Sequence, residues 1–214
     1  MRMFTSREDA GRRLGGFLED QKVSVELVLG LPRGGVVVAA EVAEVLRLPL
    51  NVLLVRKIGH PFYREFAVGA LAEDGIILLD EDVIGRNPAV RVELEEIIKE
   101  ERERLRSHQA RFHPKGAPSL ANRAVLLVDD GLATGATTEA AVLSARKKGA
   151  RKIVVAAPVA SSNAVERLAR VADEVQVLWV DPDFEAVGRY YDVFSQTDDH
   201  EVLALLEAKA SGDR

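Results

Sequence analysis

The chain has 214 residues, 47% hydrophobic and 29% charged, with no cysteine and a formal net charge of −5 at pH 7. That size suits a single domain over residues 1–214 with its own core, and that composition excludes a disordered chain, a disulfide scaffold and a cysteine nucleophile. The acidic balance offers no global field for nucleic acid, no stretch approaches the ~20 apolar residues of a membrane helix, and the charge-dotted N-terminus lacks a signal core, so the expected location is the cytoplasm.

In chain order, Ser6 followed by Asp9 resembles a capping box that opens a helix with Ala10, Leu14, Phe17 and Leu18 on one face. Five apolar runs bounded by glycine and proline then predict buried strands: VELVLG at 25–30, LNVLLV at 50–55, AVLLVDD at 124–130, KIVVAAP at 152–158 and VQVLWV at 175–180. Helical stretches at 36–48, 137–149 and 163–172 lie between most of them. Alternation of this kind predicts an α/β fold, a doubly wound and mainly parallel sheet covered on both faces.

Residues 59–122 interrupt the rhythm. Residues 66–80 predict a β-hairpin turning at Glu73 to Gly75, and Val90 to His113 a long helix. On that helix Glu95 with Lys99 and Glu100 with Arg104 stand four apart in the favourable order, which reads as a solvated face. KGAPS at 115–119 is the expected connector back to the sheet. Beyond Asp181 a segment containing Tyr190, Tyr191 and Phe194 leads to a capped helix near Asp198, together a small hood over 181–214.

The chemistry concentrates in AVLLVDDGLATGATT, residues 124–138. A parallel strand delivers its last residues to the carboxyl edge of the sheet, where ligands bind, so Asp129 and Asp130 face a cleft. The following loop supplies consecutive amides at a helix start, whose dipole favours an anion, and the hydroxyls of Thr134, Thr137 and Thr138 add donors. Adjacent carboxylates repel, so a cation or sugar hydroxyls should be shared between them. Glycine and threonine after a strand can also simply cap a helix, but paired acids ending an apolar strand are not explained that way.

This segment resembles the signature of the type I phosphoribosyltransferases. The resemblance implies that Asp129 and Asp130 hold the ribose hydroxyls, that Ala133, Thr134, Gly135, Ala136 and Thr137 bind the 5′-phosphate of phosphoribosyl pyrophosphate (PRPP), and that pyrophosphate leaves when a nitrogenous base attacks. GLPRGG at 30–35 and the pair Arg56 and Lys57 fall where that family places its diphosphate contacts, with Arg33 as a forked cation and Gly34 and Gly35 permitting unusual backbone angles. Lys57 joins the two acids as a candidate catalytic residue. Mg²⁺ is the implied cofactor, at Asp129 with Asp192, since it binds through few carboxylates plus substrate phosphates.

The acceptor is read from weaker hints that favour a purine over a pyrimidine. Ala133 stands where hypoxanthine and guanine enzymes carry an aspartate, and the loop is closer to that of adenine enzymes, whose proton acceptor sits on a mobile element; Glu65 or Glu73 could serve. Residues 187–194 loosely resemble instead the hood of the hypoxanthine and guanine enzymes. Trp179, Tyr190 and Tyr191 are candidates for a stacking wall. His60, in the GHPF turn, would belong to a loop closing over substrate. Asp130→Asn is expected to cripple turnover and leave the fold intact. The expected partners are PRPP and a small base, with a homodimer compatible and neither nucleic acid nor membrane involved. A regulator that binds PRPP without using it is the alternative.

Overall fold

The computed structural model describes residues 3–85, 88–114 and 116–212, with the backbone alone for Glu65, Pro88 and 210–212; Lys115 of the expected connector therefore lies outside it. Helix α1 (Arg7–Asp20) precedes β1 (Leu27–Gly30), α2 (Gly34–Leu46) and β2 (Leu50–Val52). There follow β3 (Val55–His60), β4 (Tyr63–Ala72), β5 (Ile77–Leu79), the single turn α3 (Glu81–Ile84) and the long α4 (Pro88–Phe112). The remainder comprises β6 (Ala124–Val128), α5 (Ala136–Lys147), β7 (Lys152–Ser161), α6 (Ser162–Leu168), β8 (Glu174–Asp181), a 3-10 turn at Val187–Tyr190 and α7 (Asp199–Gly212).

Five strands form one parallel sheet in the order β2-β1-β6-β7-β8. Every residue of β1 and β6 is buried, as a sheet covered on both faces requires. On one face Leu14 and Leu18 of α1 and Val38 and Val42 of α2 pack against Val28, Leu126 and Val154. On the other, Ala141 and Ala145 of α5 and Leu168 of α6 meet Leu29, Leu127 and Val155. Ser6 Oγ accepts from the Asp9 amide at 3.3 Å while Asp9 Oδ2 accepts from the Thr5 amide at 3.1 Å, so the predicted cap forms.

Two strand assignments differ from expectation. The apolar run at 50–55 is not one strand: β2 stops at Val52, and β3 starts at Val55 in a separate antiparallel sheet, β3-β4-β5. A continuous apolar run cannot report which sheet its halves join, because both are buried. The second difference is β7, which continues past Pro158 to Ser161. The hydrogen bonds along its β6 side use the carbonyls of Ala156 and Val159 and the amide of Ser161, so proline's missing N–H costs nothing there.

The antiparallel sheet packs Ala70 and Ala72 toward the main core and Ile58, Val68 and Leu71 toward Leu94, Ile97 and Leu105 of α4 and Val202 of α7. The hairpin at Glu73 to Gly75 is present, with Gly75 at φ +87°. After β8 the chain divides its work. Residues near Tyr190 pair with Phe4, whose amide donates to the Tyr190 carbonyl at 2.9 Å, whereas α7 crosses to pack beside α2 and α4.

Candidate active site

Reversal of strand order occurs between β1 and β6, and ligands of open α/β sheets bind at such a switch point. The two strands run in register from Leu27 with Val125 to Gly30 with Val128, and the Leu31 amide donates to the Val128 carbonyl at 2.9 Å. The loops at 30–35 and 129–135, far apart in sequence, therefore leave the sheet side by side. Neither Gly34 nor Gly35 has a positive φ, which corrects the expected reason for the pair. A Cβ on Gly35 would lie 2.8 Å from Asp129 Oδ1 and 2.9 Å from the Val128 carbonyl oxygen, and one on Gly34 would strike Asp130 Oδ2. The glycines are needed for close approach to the acids.

The acids are half-buried and unequal. Burial first, then the neighbouring Asp130 charge, pushes the Asp129 carboxyl well above the ordinary aspartate range; the Asp130 amide, Arg7 and the Thr138 hydroxyl oppose this only in part. Thr138 is buried and serves Asp129, so it is not a third hydroxyl of the phosphate loop as expected. Burial raises Asp130 as well, against the pull of Arg7, whose Nε donates to Asp130 Oδ2 at 2.7 Å. Sequence reasoning missed Arg7. Its one local signal is a cation in the first turn of a helix, where the dipole disfavours it.

The two helices that start at the switch point lack a side-chain cap from their N-cap residue. α2 begins after Arg33 and α5 after Gly135, and at the second tip the Ala136 amide donates to Thr134 Oγ1 at a long 3.4 Å, whereas Ser6, Asp80 and Ser161 cap α1, α3 and α6. The amides of a first helical turn have no intrahelical acceptor, so the others at these two tips are open to water or to a ligand. Gly135, at φ +73°, takes the left-handed turn that brings the chain into α5. Ala133 and Thr134 are exposed, and Thr137 borders a cavity. Ser161 Oγ donates to the Ala133 carbonyl at 2.6 Å, so the unexpected extension of β7 props this loop.

A cavity of about 790 Å³ opens beside these tips, lined by Arg33, Arg56, Lys57, Arg64, Arg104 and His108, with the acids Glu101 and Asp199. Arg56 and Lys57 reach it from β3 of the antiparallel sheet, not from the end of a parallel strand as predicted. Glu101 of α4 is 5% exposed and accepts from Arg56 Nε at 2.7 Å and Arg104 NH1 at 2.5 Å. The helix expected to show only a solvated face thus forms one wall. The residues of the two expected i,i+4 pairs take other partners: Lys99 pairs with Glu96, Glu100 with Arg64 and Arg104 with Glu101. The signal was available: Val90, Leu94, Ile97, Leu105 and Phe112 form the apolar stripe of α4, and Glu101 and His108 occupy positions within it. Burial lowers the His108 pKa; Asp199 opposes this, while Arg56, Arg111 and Arg33 add to it.

Tyr190 and Tyr191 are core residues and form no stacking wall. Tyr190 Oη donates to Asp181 Oδ2 at 2.6 Å and its ring stacks on Phe184, so burial and then Asp181 push its pKa up to about 12. Tyr191 Oη donates to the Asp130 carbonyl at 2.6 Å and its ring lies between Phe4 and Phe194; burial first, then the Asp130 charge, raises its pKa. Trp179 stays exposed on the edge strand β8, in register with Val159, away from the cavity lining. Asp192 is exposed and its amide donates to the Phe4 carbonyl at 2.8 Å. Among the described residues no group of three or more His, Asp or Glu could hold a metal alone.

Glu73 is not poised for proton transfer. Its carboxylate is buried, paired with Lys148 and 3.3 Å from His113 Nε2, and accepts from the Leu54 amide at 3.2 Å. It ties the hairpin turn to the ends of α4 and α5. The side chain of Glu65 lies outside the described residues. His60 contacts Phe62 and Tyr63 in the tight turn joining β3 to β4.

Known proteins resemble this chain in sequence and in fold. The phosphoribosyl transferase domain matches residues 7–192. Two provisionally named phosphoribosyl transferases from Mycobacterium tuberculosis strains are each 43% identical over 208 residues, 97% of this chain and 47% of the relative. The chain thus spans about half the length of these curated relatives. Among solved structures, TT1426 from Thermus thermophilus is 44% identical with a TM-score of 0.76, covering 96% of this chain and 98% of that one. AQ2163 from Aquifex aeolicus, 14% identical with a TM-score of 0.51 over 82% and 74% of the two chains, shares the fold. The domain match spans most of the chain and the relatives agree with it, and the chain belongs to the phosphoribosyl transferase domain family.

Proposed function

We propose that this chain transfers the 5-phosphoribosyl group of PRPP to a nitrogenous base, a purine in preference to a pyrimidine, with release of pyrophosphate. The observation that carries this reading is the acid pair set between two helix tips without a side-chain cap from their N-cap residues, one at Gly34 and one at Ala136. A ligand with anions at both ends and a diol between them matches that order of groups.

In this reading the amides of Ala133 to Thr137 take the 5′-phosphate and Asp129 and Asp130 accept from the ribose hydroxyls. The tip of α2, Arg33 and Lys57 hold the diphosphate, with Arg56 and Arg104 behind them. Bond breaking at the anomeric carbon places positive charge on the ribose and negative charge on the leaving group. Acids at one end and cations at the other stabilise both, and the half-buried setting strengthens the effect.

Magnesium fits the donor set. Two adjacent carboxylates, one raised by burial and by its neighbour, gain from a shared cation, and Mg²⁺ needs only one or two carboxylates plus phosphate oxygens. Asp129 and Asp130 are the residues that would hold it; Asp192 joins no cluster of three such donors among the described residues. When bound, the ion would neutralise charge on the departing diphosphate.

The test is release of pyrophosphate from PRPP and Mg²⁺ across a panel of purines and pyrimidines. One base class should support release, and Asp129→Asn should lower the rate by about 10²-fold or more, the size of effect typical for loss of a preorganised electrostatic group. PRPP binding without release with any base would favour a PRPP-sensing regulator of the same fold.

A further inference from the structure

We propose that Arg7, the first residue of α1, is a positioning residue that fixes the ribose-binding orientation of Asp130. The proposal rests on the phosphoribosyl reading of the site and assigns a role to a segment that the signature loop does not contain.

Three independent contacts define the guanidinium. Its Nε donates to Asp130 Oδ2 at 2.7 Å, its NH1 donates to the Ser195 carbonyl at 2.7 Å, and its Cζ lies 3.9 Å from the centroid of the Phe194 ring. The side chain is 10% exposed and that of Asp130 15%, so the pair is mostly shielded from solvent. A planar fork held on two edges and one face cannot rotate without losing a partner. Asp130 is fixed from a second side, where Tyr191 Oη donates to its main-chain carbonyl at 2.6 Å. A carboxylate anchored through one oxygen presents its remaining lone pairs in one direction, which a diol needs and a freely turning aspartate does not provide.

The loop that approaches the other half of the ligand is fitted to this pair. A Cβ on Gly34 would collide with Asp130 Oδ2 and lie 2.7 Å from Arg7 Nε and 2.9 Å from NH2. The start of α1, the segment around Ser195 and the tip of α2 therefore converge on one ion pair. An ion pair that merely stapled α1 to the body would not require its partner to be a site acid, nor the opposing loop to be emptied of side chains at that point.

The test compares two probes on the full chain by calorimetry, ribose 5-phosphate for the acid side and inorganic pyrophosphate without Mg²⁺ for the cation side. Arg7→Met should weaken ribose 5-phosphate about tenfold or more and pyrophosphate less than about twofold, and added methylguanidinium should restore part of the loss. Should Arg7→Met fail to fold, Arg7→Lys retains the charge without the fork, and the same unequal loss is expected. Equal loss of both probes, or no loss of ribose 5-phosphate, overturns the positioning role. A wild-type chain that binds neither probe overturns the phosphoribosyl reading itself, a result separable from failure of the Arg7 role alone.

Discussion

Neighbouring carboxylates in a half-buried edge destabilise one another, and here the relief is uneven: Asp130 is hydrogen-bonded to the Arg7 guanidinium, while Asp129 feels that charge without the bond and has one amide and the neutral Thr138 hydroxyl. The two positions should therefore respond differently to neutralisation. Asp129→Asn removes a repelled charge and is expected to keep or raise the melting temperature while binding PRPP more weakly. Asp130→Asn leaves Arg7 without its anion, and breaking a buried pair by one partner costs about 3 kcal/mol, or ~6–12 °C in a chain of this size. Differential scanning fluorimetry of the two variants checks this, and the sequence-based expectation of an intact fold for Asp130→Asn is revised accordingly. Gly35→Ala places a Cβ against backbone atoms of Val128 and Asp129 and should cost about 1–3 kcal/mol, measurable by urea unfolding. The acids and the glycines were legible because each follows from its position at a strand end. Arg7 was not, since its partner lies 123 residues away and no local pattern encodes the pairing.

At the level of elements, the antiparallel sheet is held to the body by Glu73. Burial alone would raise its carboxyl, but the hydrogen bonds and charges of His113 and Lys148 outweigh that and leave its pKa below the ordinary 4.5. A group whose folded pKa is depressed contributes stability that is present above its unfolded pKa and lost as pH falls through the folded value. The melting temperature should therefore fall below about pH 4.5, and Glu73→Gln should flatten that fall. The same variant should lose about 2 kcal/mol at pH 7, a loss limited because Lys148 can reach water, and keep kcat within about twofold. Collapse of kcat in a stable Glu73→Gln protein would reinstate Glu73 as the proton acceptor. Strands β1 and β6, the hairpin and α4 were legible from period and length. The split of residues 50–55 between two sheets was not, because burial on both sides erases the alternation that marks a face. The inner wall of α4 could have been read from Glu101 and His108 interrupting its apolar stripe.

For the whole molecule, topology does the assembling. The order β2-β1-β6-β7-β8 makes β1 and β6 neighbours although about a hundred residues separate them, and the crevice where the order reverses receives both motif loops. The antiparallel sheet and α4 then add a cationic wall to a protein whose net charge is −5, so the attraction this cavity offers an anion is local and not a property of the overall field. Alternating strands and helices made the parallel sheet legible, while the wall depended on how the insertion folds back over α5. The most direct measurement of the central claim is calorimetric titration of the full chain with PRPP and Mg²⁺. The account predicts one site per chain, competed by ribose 5-phosphate and by pyrophosphate, with affinity reduced about tenfold or more in Asp129→Asn. Absence of binding at millimolar PRPP, or an affinity indifferent to Asp129→Asn, would contradict it.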